Sequence, residues 1–326
     1  MVAGLLLLAV LAGCSSSGGD ATNEATTTTE APCPGGKTVP TSGLETISDA
    51  TGEREYFLHV PDGYDGTTPA PLLLNIHGLT SNIEEQDIVS DLPEMAGARG
   101  YVVVTPQAID QEGTTRWNVG LDAAPTENDV AYLQRLVDSV EQQLCIDPAR
   151  EFVAGVSNGA MMTMALRCAA GDRFAAFAPV AGVNIGPTCT SPVEVPLIAF
   201  HGDADPLVAY KKDGEAGGVP ATMADLAAQG GCETPPTSDQ PFDDAVHDVW
   251  TCPPGMALEL WTIIGGGHTW PGVTTYVDPN TARKNPDGTA AGSPYGLPGL
   301  VLHQTEDVVA TTLMLDFFDD HPRPPG

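Results

Sequence analysis

Three short stretches, far apart in the chain, carry side chain types that together perform nucleophilic catalysis. The first is Gly155-Val156-Ser157-Asn158-Gly159, preceded by the short apolar run that ends at Val156 and followed at once by a helical segment from Ala160 to Ala170. A serine between a strand and a helix, with glycine two residues before and two after, is the pattern of a nucleophile elbow. The turn is so sharp that a Cβ at either glycine strikes the strand or the helix. Its geometry holds the Ser157 hydroxyl out above the sheet and aims the Asn158 amide at the place where an oxyanion forms. A serine hydroxyl is a weak nucleophile, so it needs a base, and the base needs an orienting acid.

Both places are filled. The second stretch is His201-Gly202-Asp203-Ala204-Asp205, directly after the apolar run Val195 to Phe200. The third is Gly265-Gly266-Gly267-His268-Thr269-Trp270, directly after Leu258 to Ile264. Serine, then aspartate, then histidine is the chain order of the α/β-hydrolases, each group standing at the C-terminal end of a strand. His268 is therefore the expected base. Asp203 and Asp205 compete for the acid, and spacing alone does not separate them; for Asp203 the plainer reading is a turn-capping carboxylate. Of the seven histidines, His77 and His201 follow strands and precede glycine, which suits residues that shape turns, and His59, His247, His303 and His321 lack a partner motif. The second oxyanion donor is expected in the loop after His77-Gly78, with the N–H of Leu79 first and that of Thr80 second. Trp117 and Trp270 are either walls of an acyl or aromatic pocket or buried anchors, since an indole gives large rigid contact in both roles.

The elements that must position these groups are legible as an alternation. Arg54 to Val60, Pro71 to Gly78, Tyr101 to Pro106, Phe177 to Gly182, Val195 to Gly202 and Leu258 to Ile264 have the composition of strands. Glu127 to Leu144 places Val130, Leu133, Val137, Val140 and Leu144 at helical spacing, and Glu306 to Phe318 does the same with Val309, Leu313 and Phe317. Strands alternating with helices imply an α/β fold, a mostly parallel central sheet with helices on both faces. Val273 to Leu302, rich in Pro, Gly, Asn and Thr, has no periodicity and is expected as a long loop or insertion near the site.

The chain has 326 residues, 42% of them hydrophobic, enough for a sizeable core, and its formal net charge is −30. Nucleic acid and other polyanions are excluded as expected partners, because they need a basic face that this composition does not supply. Val2 to Ala12 is apolar but too short for a stable membrane span. It ends in Leu11-Ala12-Gly13-Cys14, a lipobox-like sequence in which Cys14 is lipidated. Ser15 to Pro32 has nothing to bury and is expected as a tether. The expected plan is a lipoprotein signal over residues 1–14, a flexible linker over 15–37 and one catalytic domain over 38–322. Beyond Cys14 six cysteines remain, and an even count in an exported chain points to disulfides. With no C-x-x-C or H-E-x-x-H present, neither a metal nor another cofactor is expected.

The chain resembles the exported esterase family that joins polyhydroxybutyrate depolymerases with feruloyl and acetylxylan esterases, including lipoproteins of the LpqC type. The carrying residues are Leu74-Asn75-Ile76-His77-Gly78, Arg116-Trp117-Asn118, Asn128-Asp129-Val130, Gly155 to Met162, His201 to Asp205 and Gly267-His268-Thr269-Trp270-Pro271-Gly272. The resemblance runs from about Arg54 to Phe318. It implies that the acid is the last aspartate of the His-Gly-x-x-Asp stretch, Asp205. It also implies the disulfides Cys33–Cys145, Cys168–Cys189 and Cys232–Cys252. The activity it implies is hydrolysis of a carboxyl ester, in a small molecule or a polymer, by Ser157, Asp205 and His268, in a protein outside the cell and either anchored by lipid or secreted. Leu79-Thr80-Ser81-Asn82 departs from the depolymerase pattern, which leaves the substrate open. Two other functions fit the same residues: acyl transfer or peptide cleavage by the same triad, and a non-catalytic glycan-binding surface lipoprotein.

Overall fold

The computed structural model describes residue 33 and residues 36–49, 52–111, 113–119, 129–187, 189, 193–211, 217–272 and 305–324. Cys14, the tether and the 273–302 insertion lie outside the described residues. Six strands form the parallel heart of a ten-stranded sheet: β3 (Ala70–Ile76), β4 (Val102–Pro106), β7 (Ile146–Val156), β8 (Ala176–Val180), β9 (Leu197–Gly202) and β12 (Leu258–Ile263). They lie in the order β4-β3-β7-β8-β9-β12, every neighbouring pair parallel. Their C-terminal ends therefore all reach the same edge, where the three stretches with chemical side chains begin. Antiparallel strands extend both sides, β1 (Gly43–Asp49) and β2 (Gly52–His59) beyond β4, and β11 (Ala245–Trp250) and β10 (Thr237–Phe242) beyond β12. A separate two-stranded ribbon joins β5 (Asp110–Gln111) to β6 (Thr114–Thr115).

The near-continuous apolar composition of the central strands follows from burial on both faces. Leu72, Leu74, Ile76, Val102, Val104, Val153, Leu197 and Ala199 point into one core, where α3 (Asp129–Gln143), α4 (Asn158–Ala170) and α5 (Val219–Gln229) cover the sheet. Leu73, Val103, Phe152, Ala154, Val156, Ile198 and Phe200 point the other way, against α1 (Ile83–Ser90), α2 (Leu92–Gly97) and α6 (Ala310–Asp320). Period-two alternation thus divides one strand between two cores. In α3 the buried face is Tyr132, Leu133, Leu136, Val137 and Val140. Phe152 of β7 stacks on Phe318 of α6 with centroids 4.6 Å apart, which fixes the last helix under the central strand.

Several elements depart from the expected boundaries. The closing helix starts at Ala310 rather than Glu306, because Thr305 Oγ1 accepts the Val308 N–H at 3.1 Å and Val309 stays extended. The first strand is β1, not the run at Arg54. β1, α1, α2, the β5–β6 ribbon, α5, β10 and β11 are not among the elements expected from the sequence. β10 is Thr-Ser-Asp-Gln-Pro-Phe with almost every residue exposed, so no apolar alternation marks it.

Three disulfides are present: Cys33–Cys145, Cys168–Cys189 and Cys232–Cys252, with sequence separations of 112, 21 and 20. The first closes by far the longest loop, so it removes the most freedom from the unfolded chain. Replacing Cys33 and Cys145 together with serine is expected to lower unfolding stability by about 4 kcal/mol, read from the urea midpoint under non-reducing conditions. A loss no larger than that from opening Cys232–Cys252 would contradict the loop-length account.

Candidate active site

At the end of β7 the chain turns into α4 through Ser157, whose φ of 55° and ψ of −118° lie outside the regions favoured by residues with a Cβ. The Ser157 N–H is held by the Val180 carbonyl at 2.9 Å, and its carbonyl accepts the first helical bond of α4 from Met161 N–H at 3.0 Å. The flanking glycines permit the turn. A Cβ on Gly155 would come within 2.6 Å of the Gly159 oxygen, and one on Gly159 within 2.2 Å of the Ile76 oxygen. The start of α4 is thus pressed against the end of β3, which brings the loop beginning at His77 beside the elbow.

That loop is braced from three directions. His77 is fully buried; its Nδ1–H donates to the Gly78 carbonyl at 2.7 Å and its Nε2 accepts the Ala108 N–H at 3.0 Å. Trp117 Nε1–H donates to the His77 carbonyl at 2.8 Å. The Asn158 side chain accepts the Trp117 N–H at 2.7 Å and lies 3.4 Å from its carbonyl, joining the Trp117 segment to the first residue of the helix. Asp129 holds the next residue, accepting the Asn118 N–H at 2.6 Å, and is itself paired with buried Arg54 at 2.5 Å. Of the two candidate oxyanion donors in the loop, Thr80 has its N–H bound to the Thr115 carbonyl at 2.8 Å. Leu79 stands first in the loop after Gly78, with its side chain 42% exposed.

The other two stretches meet across the ends of β9 and β12. Asp203 N–H donates to the Ile263 carbonyl at 2.9 Å and Ala204 N–H to the Gly266 carbonyl at 3.0 Å, so the two loops are sewn together by backbone. Asp203 is exposed and its carboxylate caps the Gly265 N–H at 2.6 Å. Asp205 is buried, and its Oδ2 lies 2.7 Å from Nδ1 of His268, itself fully buried. The Leu207 and Val208 N–H groups occupy Oδ1 at 2.8 and 2.9 Å. Burial alone would raise the Asp205 carboxyl, but hydrogen bonds from His201 and His268, with the charge of His268, outweigh it and hold the group below its ordinary value.

Trp270 is 1% exposed with Nε1–H on Thr311 Oγ1 at 2.9 Å, and Trp117 is 2% exposed. Between pocket wall and anchor, these contacts fit the anchor. The other described histidines are engaged elsewhere: His59 with Asp87 at 2.8 Å, His247 with Glu259 at 2.9 Å, and His321 with the Phe317 carbonyl at 2.7 Å. What residue types alone do not show is the bracing by Arg54, Asp129 and Asn158. The one visible sign is a charged or amide side chain inside otherwise conventional stretches. Among the described residues no cluster of three or more His, Cys, Asp or Glu side chains is arranged to hold a metal ion, and no helix is long and apolar enough to cross a membrane.

A parallel sheet covered on both faces, with a strained serine at the end of a central strand and an Asp–His pair on the same edge, is an α/β-hydrolase. Residues 89–185 match the prolyl oligopeptidase family. The acetyl xylan esterase from Aspergillus awamori shares the fold, with a TM-score of 0.54 at 17% identity over 70% of this chain and 94% of that one. In sequence the chain is 30% identical over 235 residues to feruloyl esterase C of Emericella nidulans, covering 70% of this chain and 79% of that protein. It is 26% identical over 229 residues to feruloyl esterase B of Piromyces equi, covering 66% of this chain and 42% of the relative. It is also 26% identical over 276 residues to poly(3-hydroxyalkanoate) depolymerase C of Paucimonas lemoignei, covering 73% of this chain and 62% of the relative. The chain thus spans less than two thirds of the length of the last two. It belongs to the esterase family of these proteins, a family of carboxylic-ester hydrolases.

Two consequences are measurable. Gly159→Ala is expected to push α4 away from β3, costing roughly 2–3 kcal/mol of stability; a variant with parental stability would show that the close approach is not a constraint. Burial lowers His77 from 6.5 to about 4, because the protonated ring would lose water; the Arg54 charge adds to this, against the Gly78 carbonyl, which favours the protonated ring. The unfolded chain then binds the extra proton first, so stability falls as pH drops from 6.5 towards 4, by on the order of 3 kcal/mol. Below the ordinary carboxylate value of 3.8 the loss continues as Asp205 is protonated, since its contribution is present only above that range. Urea midpoints between about pH 7 and 4 check the first window, and His77→Gln should flatten it.

Proposed function

We propose that this chain is an exported serine esterase that cleaves uncharged carboxyl esters through an acyl-enzyme, with Ser157 as nucleophile, His268 as base and Asp205 as its orienting acid. The observation that carries the reading is the buried Asp205–His268 hydrogen bond of 2.7 Å, formed on the sheet edge where Ser157 sits at the elbow. Ser157 Oγ attacks the ester carbonyl carbon while its proton passes to His268, whose Nδ1–H stays on Asp205. The N–H groups of Asn158 and Leu79 receive the negative charge that develops on the carbonyl oxygen. Collapse expels the alcohol, which takes the proton from His268. Water, activated by the same imidazole, then releases the acid.

The substrates that fit are feruloyl or acetyl esters of plant polysaccharide and polyesters of the polyhydroxybutyrate type. Leu79, in the loop after β3 beside the elbow, and Leu207, in the loop that carries Asp205, are 42% and 54% exposed and favour an apolar acyl group. A net charge of −30 works against anionic substrates. Three disulfides suit an oxidising compartment, which supports export; lipidation of Cys14 and a tether over Ser15–Pro32, ahead of the buried Cys33–Cys145 bridge, would carry the catalytic domain on the outer face of the membrane. The match of residues 89–185 to the prolyl oligopeptidase family keeps peptide cleavage as a second reading of the same triad.

Ser157→Ala should keep the fold and lose on the order of 10⁴–10⁶ of the turnover, and Asp205→Asn about 10⁴; a folded Ser157→Ala protein that still hydrolyses ester would falsify the assignment. Turnover should decline on acidification as the base takes up a proton, so a flat profile argues against a histidine. Assays on p-nitrophenyl acetate and butyrate, methyl ferulate, acetylated xylan, poly(3-hydroxybutyrate) and a proline-containing peptide amide separate the substrates. Leu207→Ser should lower kcat/KM for butyrate more than for acetate, and cleavage of the amide in preference to every ester would favour the peptidase.

A further inference from the structure

The C-terminal end of β9 carries a second imidazole that the reaction scheme leaves unused. His201 is buried, its Nε2 lying 2.8 Å from the Val208 carbonyl and 3.4 Å from Asp205 Oδ2. A carbonyl oxygen only accepts, so this nitrogen carries the hydrogen. The same N–H therefore also leans on the carboxylate oxygen that meets His268 Nδ1 at 2.7 Å. Since Leu207 and Val208 fill Oδ1, every side of the carboxylate is committed, and the two imidazoles share one oxygen. The titratable groups that face this trio among the described residues are Tyr210 and Asp203. The Tyr210 ring lies 5.9 Å from that of His201, with its hydroxyl 2.8 Å from Thr262 Oγ1 and Asp248 acting on it from beyond, and the Asp203 carboxylate is turned out to Gly265 N–H.

We infer that His201 is a positioning residue for the ester hydrolysis: its Nε2–H, divided between the Val208 carbonyl and Asp205 Oδ2, holds the acid loop closed and thins the charge on the oxygen that faces His268. The inference rests on the reading of Ser157, His268 and Asp205 as the triad. With less charge on Oδ2 the imidazolium of His268 is stabilised less, so it gives up its proton to the departing alcohol more readily. Without the second donor, Asp205 concentrates its charge on His268 and holds the proton longer.

The test is the pH dependence of kcat/KM for p-nitrophenyl butyrate in the full chain and in His201→Leu and His201→Gln. In His201→Leu the donor is gone, and the acidic limb is expected to move to higher pH by roughly half a unit to one unit, with KM near the parental value. In His201→Gln the amide N–H reaches a similar place, and the limb should return to the parental position. An unmoved limb in a folded His201→Leu, or an equal displacement in both variants, overturns the role of His201 and leaves the triad standing. A flat profile in the parent enzyme removes the histidine base itself. Should His201→Leu not fold, nitrogen-15 NMR of the native protein decides: the Nε2–H tautomer at His201 supports the shared donor, and the Nδ1–H tautomer overturns it.

Discussion

The Asp205 carboxylate is the point at which this structure is most constrained. It is buried between two loops, held by two backbone N–H groups on one oxygen and two imidazoles on the other. A carboxylate withdrawn from water is tolerated only when its charge is fully met by donors. Each donor comes from a segment whose path is set by a different part of the fold. Leu207 and Val208 require the turn after β9, His268 requires the end of β12, and His201 is anchored in β9 itself. Because β9 and β12 are parallel neighbours, with His201 opposite Thr262 in register, both chain ends arrive at one height.

The serine side of the edge is organised differently, by steric closeness rather than charge. The elbow is compressed against β3, and the Trp117 segment is fastened to both by the Asn158 amide and the Trp117 indole. Arg54 and Asp129 form the outer brace, the guanidinium lying 3.5 Å from the Tyr132 ring centroid. Breaking a buried pair by removing one partner leaves a charge without compensation, so this brace is rigid. Both halves are thus built with little slack on one sheet edge, which suits the placement that a nucleophile at Ser157 would need.

Much of this was legible before any coordinates. The central strands announce themselves because burial on both faces leaves them almost wholly apolar, and α3 does so through its helical spacing. Ser157 and His268 are visible because glycine patterns around them have few other uses. Asp205 is harder: two aspartates in one loop look alike, and only family resemblance separated them before their contacts, with Asp203 capping Gly265 and Asp205 meeting His268. The outer strands stayed hidden for a physical reason. β10 packs almost nothing, so its backbone pairing with β11 leaves no trace in side chain type. Asn158, Arg54 and Asp129 act through partners distant in the chain, and spacing along one segment does not encode such pairings.

The long disulfide has a mechanical side. Cys33 is joined to Cys145, which immediately precedes β7, the strand that leads into Ser157. Traction applied upstream of Cys33 passes through the sulfur bridge into the foot of the central strand, where neighbours on both sides resist shear along many hydrogen bonds. It bypasses β1, an outer strand paired on one side only, which would otherwise peel away first. Any load borne by the chain before Cys33 would thereby enter the sheet at β7, at the end of that strand opposite Ser157.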